Sequence, residues 1–171
     1  MSDGFQGGDF ERAVALVGAE PSPRTLVGRL GIDWDELSRL AADAAAAVLG
    51  EQQERRGEVV LQTGEAFTAG FLIGAHLANE PRAEREPLAS AVDMVQARGR
   101  HAVIADHCDL ASVARVETLY SEAMVESMAL TAADSEALRA PVTRVFETGL
   151  AVGLELGSGG AGRSGSGSEQ S

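Results

Sequence analysis

The chain has no lysine: all 14 of its basic residues are arginine, set against 26 acidic residues, and the formal net charge is −12 over 171 residues. A surface of that sign repels phosphate polymers and anionic bilayers, whose binders draw affinity from clustered cations. General attraction to nucleic acid is therefore excluded, and no membrane partner is expected. Aromatic residues make up only 4% of the chain, so a core has to close through alanine, valine and leucine, with 20 glycines available where backbones approach closely. The single cysteine, Cys108, cannot form an intramolecular disulfide, so nothing points to an oxidising compartment. The segment Met1 to Asp9 carries neither the basic nor the apolar region of a signal peptide. The longest apolar run, Ala66 to Ala78, contains Thr68 and His76 and is too short for a bilayer of about 30 Å. A cytoplasmic location is expected. There is no P-loop, no dinucleotide-binding glycine motif, no Ser/His/Asp arrangement and no Glu-x-x-His pair, so no cofactor is expected.

The combination of acidity and missing lysine resembles the proteins of halophilic archaea. Repulsion among carboxylates destabilises a compact chain in dilute buffer and is screened at 1 M salt, where the Debye length is about 3 Å.

Apolar spacing of three and four residues predicts an all-α fold. Residues 1–8 are Gly-rich and polar, and 157–171 are a Gly/Ser-rich tail; both are expected to be disordered around one helical domain over 9–156. The pattern predicts short helices over Asp9 to Val17, stopped by Gly18, and over Arg24 to Leu30. A helix of about 22 residues starts at its cap Asp33, with Trp34, Leu37, Leu40, Ala41, Ala44, Val48 and Leu49 on one face. After a break at Gly57, a second long helix covers Glu58 to Asn79. Residues 81–86 read as a charged linker, and Pro87 opens a helix to about Ala97, broken at Arg98-Gly99-Arg100. Asp109 caps a helix with Val113, Val116, Leu119, Tyr120, Ala123, Met124 and Met128 on its apolar face. Thr131 and Asp134 form a capping box for a last helix to Leu156, kinked or restarted at Pro141.

An ungapped shift of 79 residues lays Phe67, Gly70, Gly74 and Leu77 on Phe146, Gly149, Gly153 and Leu156. The same shift lays Trp34, Leu37, Leu40 and Ala44 on Val113, Val116, Leu119 and Ala123. Glycines four apart share a helix face and let another backbone come close. The expectation is a helical bundle of two repeated hairpins, 33–78 and 112–157, related by a pseudo-two-fold axis with the glycine faces meeting at its centre, plus short N-terminal helices.

Candidate chemistry gathers between Arg98 and Asp109. Arg100-His101 followed by His107 resembles the Arg-x(4–6)-His motif of the HEPN family, all-α domains that often act as metal-independent RNases. The resemblance implies phosphate and 2′-hydroxyl chemistry at Arg100 and His107. His101, His107 and Cys108 offer imidazole and thiolate to zinc, although their spacing matches no compact module. Leu26 to Leu40, with Gly31 at a turn, reads as a helix-turn-helix frame within residues 24–40, but its second helix opens with Asp33, Asp35 and Glu36, where DNA phosphates would lie. With no evident catalytic constellation, the leading expectation is association with a protein partner, as a homo-oligomer or accessory subunit. A HEPN-like RNase centred on Arg100 and His107 and a helix-turn-helix regulator are the alternatives.

Overall fold

Asp33 and Asp109 each turn a carboxylate back onto the helix that follows. In a computed structural model, which describes residues 7–19, 22–49, 56–78, 88–128 and 132–158, Asp33 Oδ1 accepts from the N–H groups of Asp35 at 2.8 Å and Glu36 at 3.1 Å. Asp109 accepts from the N–H groups of Ala111 at 3.4 Å and Ser112 at 3.3 Å, and from the Ser112 hydroxyl at 2.8 Å. Both satisfy donors that a first helical turn leaves open. The Ser112 hydroxyl, then the Ala111 N–H, hold the Asp109 carboxyl below its usual range.

The described residues form eight helices and no strand, an all-α bundle: α1 (Gly7–Ala19), α2 (Pro23–Arg29), α3 (Trp34–Leu49), α4 (Arg56–Leu77), α5 (Leu88–Arg98), α6 (Arg100–His107), α7 (Leu110–Ser127) and α8 (Ala132–Ser158). Several expected boundaries move. Gly18 and Gly57 lie inside α1 and α4 rather than ending or interrupting helices, and Gly7 and Gly8 belong to α1. A glycine costs only about 1 kcal/mol in a helix, which packing outweighs. α3 is described as far as Leu49, the remainder of its expected length lying outside the described residues, and α8 runs unbroken through Pro141 to Ser158. The tail expected from 157 thus begins with two helical residues. The linker over 81–86, the helix start at Pro87, the capping residue Thr131, and the disorder expected over 1–6 and 159–171 fall outside the described residues.

α4 and α8 form the centre. A Cβ added at Gly70 would stand 2.2 Å from Phe146 O, and one at Gly74 2.3 Å from Leu150 O. In the opposite direction, a Cβ at Gly149 would stand 2.1 Å from Phe67 O, and one at Gly153 2.2 Å from Phe71 O. Numbers rise together along both helices, so the pair is parallel, and each glycine admits the other helix's backbone. Phe67, Phe71, Phe146, Leu150 and Leu154 are buried along this seam, with Leu156 buried and Leu77 half-buried at its end.

The remaining helices cover the pair. α3 and α7 lie against α4 and α8 through Leu37, Ala41 and Ala45 and through Val113, Ser121 and Val125, while α1, α2, α5 and α6 pack around them. Leu119, expected on the buried face of α7, is 68% exposed, and Ala123 is exposed as well. Asp109 fixes the start of α7, and the buried line then runs through Val113, Ser121 and Val125, which leaves Leu119 on the other side of the helix.

Candidate binding pockets

Gly99, at φ 89°, separates α5 from α6 in a conformation that a side chain would strain, and this bend aims the first turn of α6 at α8. Arg100 Nε donates to Glu147 Oε2 at 2.8 Å, and His101 Nε2 lies 2.6 Å from the same oxygen. Glu147 side-chain exposure is 11%, which would favour its neutral form; hydrogen bonds from Arg100, Glu117 and His101 outweigh burial and hold its carboxyl below the usual range. Glu117, on α7, stands behind it. Burial first, then the Glu147 charge and their shared hydrogen bond, push Glu117 up to about 8, so at neutral pH it carries a proton. Its Oε2 is buried with no hydrogen-bond partner.

This cluster floors an open cavity of about 410 Å³ between α6, α7 and α8, whose walls include Arg139, Arg144, Thr118, Thr143 and Glu122. Arg139 pairs loosely with Glu136 at 3.5 Å. Arg144 makes no side-chain ion pair among the described residues.

A second pocket, of about 770 Å³, lies between α1, α2, α3, α4 and the flank of α7. Its walls are largely apolar: Val14, Val17, Trp34, Val60, Leu61, Leu72 and Ile73, with Ser38 and Glu65 among them. Tyr120 closes the α7 side, its hydroxyl donating to Glu65 O at 3.5 Å and its ring 4.9 Å from that of Phe146. Thr68 lines the same pocket at 9% exposure, and its hydroxyl has no hydrogen bond among the described residues. Leu61 stands 69% exposed at the mouth. Trp34 and Tyr120 are the only tryptophan and the only tyrosine in the chain.

The sequence-derived residues divide between these places. Phe67, Gly70, Gly74, Phe146, Gly149, Gly153 and Leu156 belong to the α4–α8 seam. Arg100 and His101 belong to the ionic cavity. His107 does not join them: seven residues along α6 from Arg100 it lies two turns away, about 10 Å. Desolvation lowers the His107 pKa, with the charges of Asp106 and Glu155 opposing it. Arg98 engages Asp106, and the Cys108 thiol is buried and pushed up to about 12, first by burial and then by the Asp109 charge. Among the described residues no three of His, Cys, Asp or Glu cluster as metal ligands, and no helix is long and apolar enough to cross a membrane. In the helix-turn-helix frame, Gly31 takes φ 73° at the turn, and α3 buries Leu37 while Asp33, Asp35 and Glu36 stay exposed.

Sequence reasoning missed Glu117, Glu147 and Thr68. Each is a polar residue inside an apolar helical face, which is a legible signal once the face is drawn. The seam residues Gly70 and Gly149 lie within one turn of Thr68 and Glu147 on the same two helices. No family model, curated protein or solved structure matches the chain.

Proposed function

We propose that the chain is a binding protein whose working surface is the 770 Å³ apolar pocket. Pockets of roughly 300–1,000 Å³ with apolar walls and a few polar groups are the usual form of a small-molecule site. The observation that carries the reading is Thr68: a residue at 9% exposure on the wall of an open apolar pocket, its hydroxyl making no hydrogen bond to another described residue. The hydroxyl faces the open pocket, where water can bond it, and a ligand's polar atom would take that water's place. The ligand is accordingly an apolar molecule bearing one hydrogen-bonding group. It is neutral or cationic, because Glu65 lies in the wall and the whole chain is acidic. The test uses the neutral dye N-phenyl-1-naphthylamine, whose absorption accepts energy from Trp34. Saturable quenching of Trp34 is expected, lost when Ala42→Phe fills the pocket and weakened by Thr68→Val, with helical circular dichroism unchanged in both. Non-saturable quenching, or equal affinity in well-folded Ala42→Phe, would overturn the reading.

Self-association is the second reading, and the exposed leucines favour it. Leu61 at the mouth, with Leu16 and Leu119 exposed on α1 and α7, offers apolar knobs on the elements that form the hole, an arrangement that a two-fold pair of copies can use. Light scattering in molar KCl separates the two: a doubled mass abolished by Leu61→Glu supports association, and a monomer at all concentrations rejects it.

The duplication inferred from sequence is proposed in a longer form, with α1–α4 and α5–α8 as copies of one four-helix unit. Support comes from the reciprocal glycine contacts, in which Gly70 meets Phe146 and Gly149 meets Phe67, each residue 79 from its counterpart. The capping aspartates stand 76 apart, and Phe10 and Ala13 are buried in α1 as Leu88 and Ala91 are in α5. The offset changes between caps and seam, so Leu37 pairs with Val113, and the ungapped match of Leu40 to Leu119 is not retained.

A further inference from the structure

The two pockets occupy corresponding places. Adding 79 to Val60, Leu61, Gly64, Glu65 and Thr68 of the apolar pocket gives Arg139, Ala140, Thr143, Arg144 and Glu147, all of them in the wall of the ionic cavity. The concavity between the third and fourth helices thus occurs twice, once with apolar walls and once with ionic ones. In the ionic copy Val60 and Glu65 are replaced by guanidinium groups, Arg139 and Arg144, and Thr68 by Glu147.

We propose that the cavity between α6, α7 and α8 binds a small oxyanion, a carboxylate or a phosphate, through Arg139 and Arg144. Three of the chain's 14 basic side chains face one cavity of about 410 Å³, in a chain whose net charge is −12. Arg100 is spent on Glu147, at 2.8 Å, so the cavity's own deep carboxylate is already neutralised. Glu117 behind it is held neutral at pH 7 and adds no repulsion. Glu122 in the wall and Glu136 beside Arg139 are the opposing charges, and they limit the site to a small anion held by the Arg144 side. The planar guanidinium of Arg144 makes no side-chain ion pair among the described residues and can grip two oxygens at once, with the Thr143 hydroxyl beside it.

Titration with inorganic phosphate and, separately, acetate, at ionic strength held constant with KCl, tests the site. Saturable rises in melting temperature are expected for at least one of the two, and their comparison identifies which oxyanion class is preferred. Arg144→Gln, at an exposed position on α8, should fold normally and weaken binding at least about tenfold, the loss expected for one charge-assisted pair. Arg139→Gln should weaken it as well. No saturable response to either anion at matched ionic strength overturns the proposal, as does a response unchanged in both variants. Apolar dye binding is read separately through Trp34, so failure here leaves the apolar pocket reading standing.

Discussion

At Glu117 burial and a neighbouring carboxylate act in the same direction. A carboxyl whose ordinary value is 4.5 is pushed up to about 8, mainly by removal from water and then by Glu147. In the unfolded chain it ionises near 4.5, and in the folded chain near 8, so between those values the folded state holds the extra proton. Stability therefore falls as pH rises through this window and is lowest, as far as this group is concerned, above 8. Glu117→Gln keeps the hydrogen bond to Glu147 without an ionisable proton, and it should flatten the slope. The melting temperature of the parent should drop between pH 5 and pH 8 by roughly 2–4 °C more than that of the variant, or about 1 kcal/mol after allowance for solvent screening. Equal slopes would show that Glu117 ionises normally. Legibility at this scale was uneven. Arg100 and His101 stood out because charged groups cluster there, whereas Glu117 and Thr68 are single polar letters in apolar faces. Their meaning depends on which helix packs opposite, and local sequence does not carry that information.

Among elements, the α4–α8 pair decides the architecture. Its spacing was readable in advance because Phe-x-x-Gly-x-x-x-Gly-x-x-Leu has one mechanical use, to bring two backbones together, and the structure applies it within the chain rather than between chains. The helix ends were less readable. Gly18 and Gly57 look like stops in isolation, yet tertiary packing carries α1 and α4 across them. Glycines in the seam and glycines outside it must then respond oppositely to the same change. Gly153→Ala would drive a Cβ to 2.2 Å from Phe71 O and should cost at least about 3 kcal/mol, seen as a fall in melting temperature of roughly 6–12 °C. Gly18→Ala meets no atom within 4 Å and should stabilise by about 0.5–1 kcal/mol, through reduced freedom of the unfolded chain and better helix propensity. Melting curves of the two variants check both signs; a mild Gly153→Ala would mean that α4 and α8 stand farther apart. The caps were legible for a simpler reason: Asp33 and Asp109 act on the N–H groups two and three residues on, so the whole interaction lies within local sequence.

At the scale of the molecule, a charge of −12 and two unlike pockets define the problem. Carboxylates dominate the surface, and mutual repulsion should make folding salt-dependent. Melting temperature is expected to rise from dilute buffer to 1 M KCl, where the screening length is about 3 Å; a flat response would exclude salt adaptation. The all-α class followed from apolar spacing, because that pattern is written along each helix. The pockets did not, since each is walled by three or more helices whose order in space no single stretch of chain encodes. The apolar pocket is the surface on which this protein is proposed to work. The most direct measurement is a ¹H–¹⁵N correlation spectrum recorded with and without N-phenyl-1-naphthylamine. Shifts concentrated at Trp34, Ala42, Gly64, Thr68 and Tyr120 are predicted, with the ionic cavity around Arg144 unmoved; shifts at Arg144 with none at Thr68, or no shifts at all, would contradict it.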